Sequence, residues 1–346
     1  MIDQSLIDMT PVNEQALREA LTVRLGDGQV VALKRLSGGA NMETWSFDYA
    51  DTAQVVHPLI LRRQPGVAIT GAAGQSADFG VSALSLETEA ALLEAVAAAG
   101  VSVPNVVSVI SAQNPLGPSY IMSRELGEAL PQRLFTDPQY TAILPEIPFQ
   151  AGAVLAQIHQ VPLVSLPPAM PKLPLSRRLD DFQLLIDRYE NSSPIHQIAL
   201  DWLRAHEMSC AAPTLVHGDF RNGNLLIDVH GLSSVLDWEL SHIGDPIEDL
   251  GYFCANVWRF GRYDKPAGGF GSMTDLLAGY ASVAGAAPSV DELRYWELFA
   301  ALNWGVITLT MLDRYRSGHD ATLERAAVGR RMSESEIDIL LLLDAL

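Results

Sequence analysis

Residues 215–228 read LVHGDFRNGNLLID, a histidine, two aspartates, an arginine and two asparagines set between apolar residues. His217, Asp219 and Asn224 stand in the pattern H-x-D-x-x-x-x-N, and Asp237 follows thirteen residues after Asn224 in SSVLDWELSHIGDP. Moving a phosphoryl group needs one carboxylate to accept the proton of the attacking hydroxyl, and separate oxygen ligands to hold Mg²⁺ on the nucleotide phosphates. Asp219 suits the first role. Asn224 and Asp237 suit the second, because Mg²⁺ is a hard ion that prefers oxygen ligands. His217 fits a prop that holds the loop by hydrogen bonding rather than a group that titrates in the reaction. A polar β-turn with Gly, Asn and Asp in left-handed positions would also be written GDFRNGN. Such a turn does not require a second carboxylate just beyond the next apolar strand, and Asp237 supplies one.

The elements that must position these residues divide the chain by hydrophobic period. Thr10 followed by Pro11 reads as an N-cap and first helical position, opening a helix through about Leu25. Three runs rich in β-branched and aromatic residues come next, at 29–36, 43–49 and 55–63, and suggest an antiparallel meander. A helix over about 86–99 follows, then strands at 105–111 and 118–124. From residue 128 the patterns are mostly helical, with one β-like interruption around 215–237 that contains the loop. The Ala/Gly/Ser-rich stretch 66–85 reads as a surface loop. The resulting expectation is an α+β architecture, a small sheet lobe with one helix joined to a larger helical lobe, with a cleft between them where a small molecule binds.

Bulk properties narrow the partners. At 346 residues the chain sits where one core usually gives way to two. A formal charge of −18 disfavours nucleic acid or an anionic membrane, both of which need clustered Lys and Arg. Cys210 and Cys254 are too few for a disulfide framework or a zinc cage and fit a reducing, cytoplasmic interior. The N-terminal segment has neither the basic nor the apolar region of a secretory signal. The uncharged run 298–312 falls short of the roughly 20 residues a bilayer crossing needs, so it reads as a buried helix.

HGDFRNGN followed by VLDWELSHIGDPIEDLGY resembles the aminoglycoside phosphotransferase/choline kinase group of protein-kinase-like enzymes. The chain most resembles the branch that also occurs as the N-terminal kinase domain of some acyl-CoA dehydrogenase proteins. The likeness extends over about residues 30–345. It implies a two-lobed fold, with an N-lobe at 1–122, a hinge at 123–127 and a helical C-lobe at 128–346. It implies ATP and Mg²⁺ as cofactors, Asp219 as catalytic base, Asn224 and Asp237 as metal ligands, and Asp245 and Asp249 as a brace bonded to backbone.

A kinase N-lobe needs three further parts. The stretch LSGGANMETWSF, between two expected strands, offers Ser37, Gly38, Gly39 and Asn41 as a turn over the phosphates, although Gly-Gly there also suits a plain hairpin. Arg62 stands where the family has a phosphate-binding lysine; it keeps the charge and adds a bidentate fork. Arg63 falls on the opposite face of a regular strand. On the helix opened by Ser85, Leu86, Ala90, Leu93 and Ala97 form the packing stripe, with Glu89 at its edge. An acid there is costly unless paired, which makes Glu89 the partner for Arg62.

Met122, Ser123, Arg124 and Glu125 resemble the family's linker, where backbone groups hold adenine. For the acceptor, the resemblance points to the C-terminal helices and so to Trp296, Phe299, Asn303 and Trp304, with Trp238 and Glu239 beside the metal ligand. Helical spacing in so apolar a run equally suits core. Arg221 could contact an anionic acceptor or the γ-phosphate, or tie the loop to GDPIED. Arg330 and Arg331 read as solvated charges on two final amphipathic helices.

The expected reaction is transfer of the γ-phosphoryl group to a hydroxyl of a small molecule, with a hydroxyacyl or hydroxy-acid metabolite suggested by the branch and an aminoglycoside by the family name. A non-catalytic nucleotide-binding pseudokinase has no need to keep Asp219, Asn224 and Asp237. A metal-dependent hydrolase would need histidines at ligand spacing, which the sequence lacks.

Overall fold

The computed structural model describes residues 12–36, 42–64, 83–189, 192–210, 212–318, 320 and 322–346. Thr10, Pro11, the turn residues Ser37, Gly38, Gly39 and Asn41, and most of the 66–85 stretch lie outside these. The chain divides into two compact units. The first takes Leu84–Ala98, Val103–Glu125 and the described residues before Gln75; the second takes Ala83, Ala99–Ser102 and Leu126–Leu346.

The first unit begins with helix α1 (Glu14–Leu25). It starts later than Thr10 because Asn13 is the cap, its side chain accepting from the Ala16 N–H at 3.1 Å. Strands β1 (Gly28–Arg35), β2 (Glu43–Asp51) and β3 (Val56–Arg63) form the expected meander. After helix α2 (Leu86–Ala98), β4 (Val106–Ile110) and β5 (Ser119–Ser123) complete an antiparallel sheet of order β1-β2-β3-β5-β4. Leu17 and Leu21 of α1 bury against Phe47, Tyr49, Leu59, Leu61 and Ile121 of the sheet, giving this unit its own core. Ser85 caps α2 through the Thr88 N–H at 3.1 Å. Glu87 and Glu94 are exposed while Glu89 is buried, as the stripe requires.

The second unit is mainly helical: α3 (Pro131–Thr136), α4 (Ile147–His159), α5 (Leu175–Arg188) and α6 (Pro194–Ala205) precede the β interruption. There β6 (Thr214–Val216) pairs with β9 (His242–Gly244), and β7 (Leu225–Asp228) with β8 (Gly231–Val235). Helices α7 (Ile247–Cys254), α8 (Met273–Ala284), α9 (Val290–Arg316), α10 (Leu323–Gly329) and α11 (Met332–Ala345) follow. A capping box at Ser289 and Glu292 opens α9, which runs through the core and packs Tyr295, Leu298 and Leu302 against Phe182, Leu185, Leu200 and Leu203. No helix among the described residues is long and apolar enough to cross a membrane.

Three elements of this unit meet at one buried charge. Glu248 of α7 takes Arg178 of α5 at 2.5 Å and His242 of β9 at 3.3 Å. Burial alone would raise the Glu248 carboxyl; Arg178 and His242 outweigh it and hold it down at about 2. Because the folded value lies below the ordinary one of 4.5, this stabilisation is present above pH 4.5 and is lost as pH falls towards 2. Glu248→Gln leaves Arg178 buried without its counter-charge and is expected to cost about 3 kcal/mol at neutral pH. In urea unfolding, the gap between wild type and variant should narrow as pH drops below 4.5.

Candidate active site

The residues of the H-x-D-x-x-x-x-N loop are all held by atoms of the second unit. β6 delivers the chain to His217, and Gly218 then turns it at a φ of +83°. A Cβ at Gly218 would lie 2.4 Å from the Leu240 carbonyl oxygen, so the approach admits glycine alone. The fully buried Asp249 of α7 accepts from the backbone N–H of His217 at 2.8 Å and of Gly218 at 2.9 Å. Its Oδ2 also meets His159 Nε2 at 3.1 Å; a carboxylate only accepts, so that nitrogen carries the proton. Asp245 accepts locally from the Ile247 N–H at 2.9 Å. Both acids of the expected brace are therefore bonded to backbone, and Asp249 is the one that grips the loop.

His217 is a prop. Its Nδ1 accepts the Asp219 N–H at 3.1 Å, so its Nε2 donates to the Leu236 carbonyl at 3.0 Å. Burial pushes its pKa down and keeps the ring neutral, as this pattern requires. The Leu236 N–H in turn reaches the Asn224 carbonyl at 2.8 Å. Leu236 is thus clasped to His217 on one side and to Asn224 on the other, which brings residue 237 beside the loop. Asp237 takes a φ of +64°, a left-handed conformation uncommon for a residue with a Cβ.

The Asp219 carboxylate is itself tightly held. Oδ1 accepts from Arg221 Nε at 2.9 Å and from the Tyr252 hydroxyl at 3.0 Å; Oδ2 accepts from Asn224 Nδ2 at 2.6 Å. Burial, with the Asp219 charge behind it, pushes the Tyr252 hydroxyl far up, so it stays a donor. Asn224 spends its amide nitrogen on Asp219, which leaves its carbonyl oxygen out of those bonds. With the Asp237 carboxylate, this donor set is of the oxygen type that suits Mg²⁺. Gly223 has a φ of +111°, and a Cβ there would meet Arg221 Nη1 at 2.7 Å.

Among the described residues Arg221 makes no ion pair with the GDPIED segment. It pairs with Asp219 itself and lies over the Trp258 ring at 4.5 Å. Burial works against its charge, but Asp219 foremost, with Tyr252 and Asp237, raises its pKa overall. Trp258 packs edge-on against Trp304, and Arg331 lies over Trp304 at 5.3 Å, so Arg331 is a half-buried packing residue rather than a solvated one.

Several acceptor candidates prove to be core. Trp238 is buried, donates its indole N–H to the Val235 carbonyl and packs on the His217 ring at 4.6 Å. Trp296 and Phe299 belong to the core around Phe182, because the period that would face a pocket also faces a neighbouring helix. Asn303 is buried on α9, and Glu239 is half-buried. Trp304 connects, through Trp258, to Arg221. Tyr252 and Trp258 were not singled out from the sequence. Tyr252 lies inside the quoted GDPIEDLGY, but its contact with Asp219 spans 33 residues.

In the first unit, Arg62 Nε lies 3.4 Å from Glu89 Oε2, with both residues buried, and Arg63 pairs instead with Glu43 at 2.7 Å. At the linker, Met122 is paired within the sheet, and the N–H groups of Ser123 and Arg124 already bond to Asn105 and Pro58. The Arg124 side chain turns back to Asp48 at 2.6 Å, and Glu125 accepts from the Ser123 hydroxyl. These two N–H groups are therefore closed to a base.

The family profile described as "Phosphotransferase enzyme family" matches residues 32–286. The chain belongs to this family. Acyl-CoA dehydrogenase family member 10 of Mus musculus is 30% identical over 235 residues, 62% of this chain and 20% of that protein. Acyl-CoA dehydrogenase family member 11 of Pongo abelii is 31% identical over 123 residues, 31% of this chain and 15% of that protein. The phosphotransferase chain thus spans only a small part of the length of these curated relatives. Among solved structures, a candidate aminoglycoside phosphotransferase from Ralstonia eutropha superposes with a TM-score of 0.73 at 18% identity, covering 97% of this chain and 99% of that one. The GDP complex of aminoglycoside 2′-phosphotransferase-IIIa gives 0.66 at 14% identity, covering 94% and 98%. At such identities the likeness is one of fold: an antiparallel-sheet N-lobe and a helical C-lobe of the kinase-like type.

Asp249→Asn replaces one accepting oxygen by an NH₂ that faces donors. It is expected to lower stability by about 1–3 kcal/mol in denaturant titration, and to unlock residues 217–218, read as faster amide hydrogen exchange there.

Proposed function

We propose that this phosphotransferase moves the γ-phosphoryl group of ATP to a hydroxyl of a small neutral or anionic molecule, of hydroxy-acid or hydroxyacyl type, with Mg²⁺ as cofactor. The observation that carries the reading is the Asp219 carboxylate. Both lone pairs of Oδ1 are engaged by Arg221 and Tyr252, whereas Oδ2 accepts from Asn224 and has a second position to offer. In this reading the acceptor hydroxyl donates to Oδ2. Its oxygen bonds to the γ-phosphorus in line with the bond to ADP that breaks, and its proton passes to Asp219. Asp219 orients the nucleophile more than it drives proton transfer, since positioning and charge stabilisation dominate this chemistry.

Asn224 and Asp237 would hold Mg²⁺, which would neutralise phosphate charge in the transition state. Arg62, kept in place by Glu89, contributes the phosphate-directed charge of the first unit. The linker would address the adenine through Glu125 and carbonyl groups rather than through the N–H groups of Ser123 and Arg124.

The acceptor class rests on what surrounds Asp219. A polycationic aminoglycoside calls for carboxylates next to the reacting hydroxyl. The side chains that touch Asp219 are instead Arg221, Tyr252 and Asn224, with the Trp258 ring beneath the guanidinium. The acyl-CoA dehydrogenase names of the curated relatives support the same choice.

Asp219→Ala is expected to lower ATP-dependent transfer by about 10²–10⁴-fold while nucleotide affinity, measured by calorimetry, stays near that of wild type. Asp237→Ala should weaken Mg·ATP binding itself. Wild-type turnover by Asp219→Ala would refute the assignment.

A further inference from the structure

Arg221 presents a conflict. A base that must receive a proton is already ion-paired, through Oδ1, to a guanidinium two residues away. That guanidinium is only partly spent: Nε is on Asp219 and Nη1 makes a long bond of 3.3 Å to the Asn222 carbonyl, while Nη2 has no bond among the described residues. The side chain is about one quarter exposed, so a solute can reach it. Its guanidinium carbon lies over the Trp258 ring, 4.5 Å from the centre, and that attraction does not depend on which nitrogen faces Asp219. Tyr252 bonds the same Oδ1 from a rigid helix. Asp219 would therefore keep its orientation if Arg221 left.

Two donors next to this guanidinium and its ring ask for an oxygen partner. The indole N–H groups of Trp258 and Trp304, both in buried residues, have no acceptor among the described residues. Buried donors without acceptors are unusual in a folded protein and ask for a water or a ligand oxygen. Glu297 is taken by Arg259 at 2.5 Å and Glu334 by Arg331 at 2.7 Å, so the acids that act on Arg221 are Asp219 and Asp237.

We propose that Arg221 is the specificity-determining residue that reads a negative charge on the acceptor. It exchanges its bond to Asp219 for one to an acceptor carboxylate while Tyr252 holds Asp219 in place. The inference rests on the phosphotransferase reading of the same site and adds a residue and a charge rule to it. The exchange moves no covalent bond. An acceptor with a carboxylate releases one lone pair of Oδ1 as it binds, so binding and activation of the carboxylate coincide; a neutral analogue leaves the Arg221–Asp219 pair closed.

The test compares ATP-dependent phosphorylation of 2-, 3- and 4-hydroxybutyrate with that of the corresponding hydroxybutyramides, and includes kanamycin as a polycation. Wild type is expected to favour an acid over its amide by about 10–100-fold in kcat/KM, the range for a hydrogen bond to a charged group. Arg221→Gln should bring that ratio close to one by raising KM for the acid, with nucleotide affinity unchanged; Arg221→Lys should restore part of it. A thermal unfolding midpoint for Arg221→Gln close to that of wild type guards against misreading an unfolded variant. Equal turnover of acid and amide by wild type, or an unchanged ratio in Arg221→Gln, overturns the inference and leaves the phosphotransferase reading standing. Transfer to kanamycin alone does the same. Absence of ATP-dependent transfer to every one of these alcohols overturns both.

Discussion

The Asp249 carboxylate is the constraint on which the site depends. It is fully buried and accepts from two successive backbone N–H groups, those of His217 and Gly218, and from the His159 ring. A buried charge without such donors would be prohibitively costly, so the loop cannot detach from α7 without exposing that cost. The grip fixes the peptide planes on either side of the tight turn at Gly218, and the turn fixes the origin of the Asp219 side chain. From there the order propagates outward. The His217 ring holds the Leu236 carbonyl, the Leu236 N–H holds the Asn224 backbone carbonyl, and residue 237 is thereby delivered next to them. The loop backbone is thus set by groups other than the Asp219 carboxylate, which Arg221, Tyr252 and Asn224 then orient.

The β1-β2-β3 meander and the helical second unit were legible because their signals are local, whereas the pairing of β3 with β5 joins distant segments. The strand limits read from β-branched runs differ from those observed by one or two residues, since alternation and turn residues act on immediate neighbours. Glu89 could be paired with Arg62 in advance for a similar reason: an acid at the edge of an apolar helical stripe must find a cation, and a regular strand offers Arg62 and Arg63 to opposite faces. Arg63 then goes to Glu43, its cross-strand neighbour. The first helix was misplaced by three residues because two cap-competent residues lie close together and only the structure decides that Asn13 wins.

The acceptor side was not legible, and the cause is geometric. On α9 the spacing of Trp296, Phe299, Asn303 and Trp304 reports that one face is covered, but a helix face can be covered by another helix or by a ligand. Trp296 and Phe299 meet the core around Phe182, whereas Trp304 meets Trp258. That difference arises from where α5 and the segment after α7 run, which no local pattern encodes. Tyr252 escaped notice for the same reason. One turn after Asp249 its ring reaches back to Asp219, so a single short helix supplies both the brace of the loop and the second donor to its carboxylate.

Net charge misleads about the site in an instructive way. At −18 the chain as a whole repels anions at long range. Within a Debye length of about 8 Å at physiological salt, however, individual groups count: Asp219, Asp237 and Asp249 crowd the loop, and Arg221 on Trp258 is the cation set against them, with Arg331 on Trp304 beyond it. Both guanidiniums lie on aromatic rings, where a cation keeps its charge while its stem and face are packed. The acidic exterior therefore governs solubility and non-specific encounters. The acceptor preference proposed above falls to one partly exposed cation, Arg221, which can trade the Asp219 carboxylate for one on a ligand.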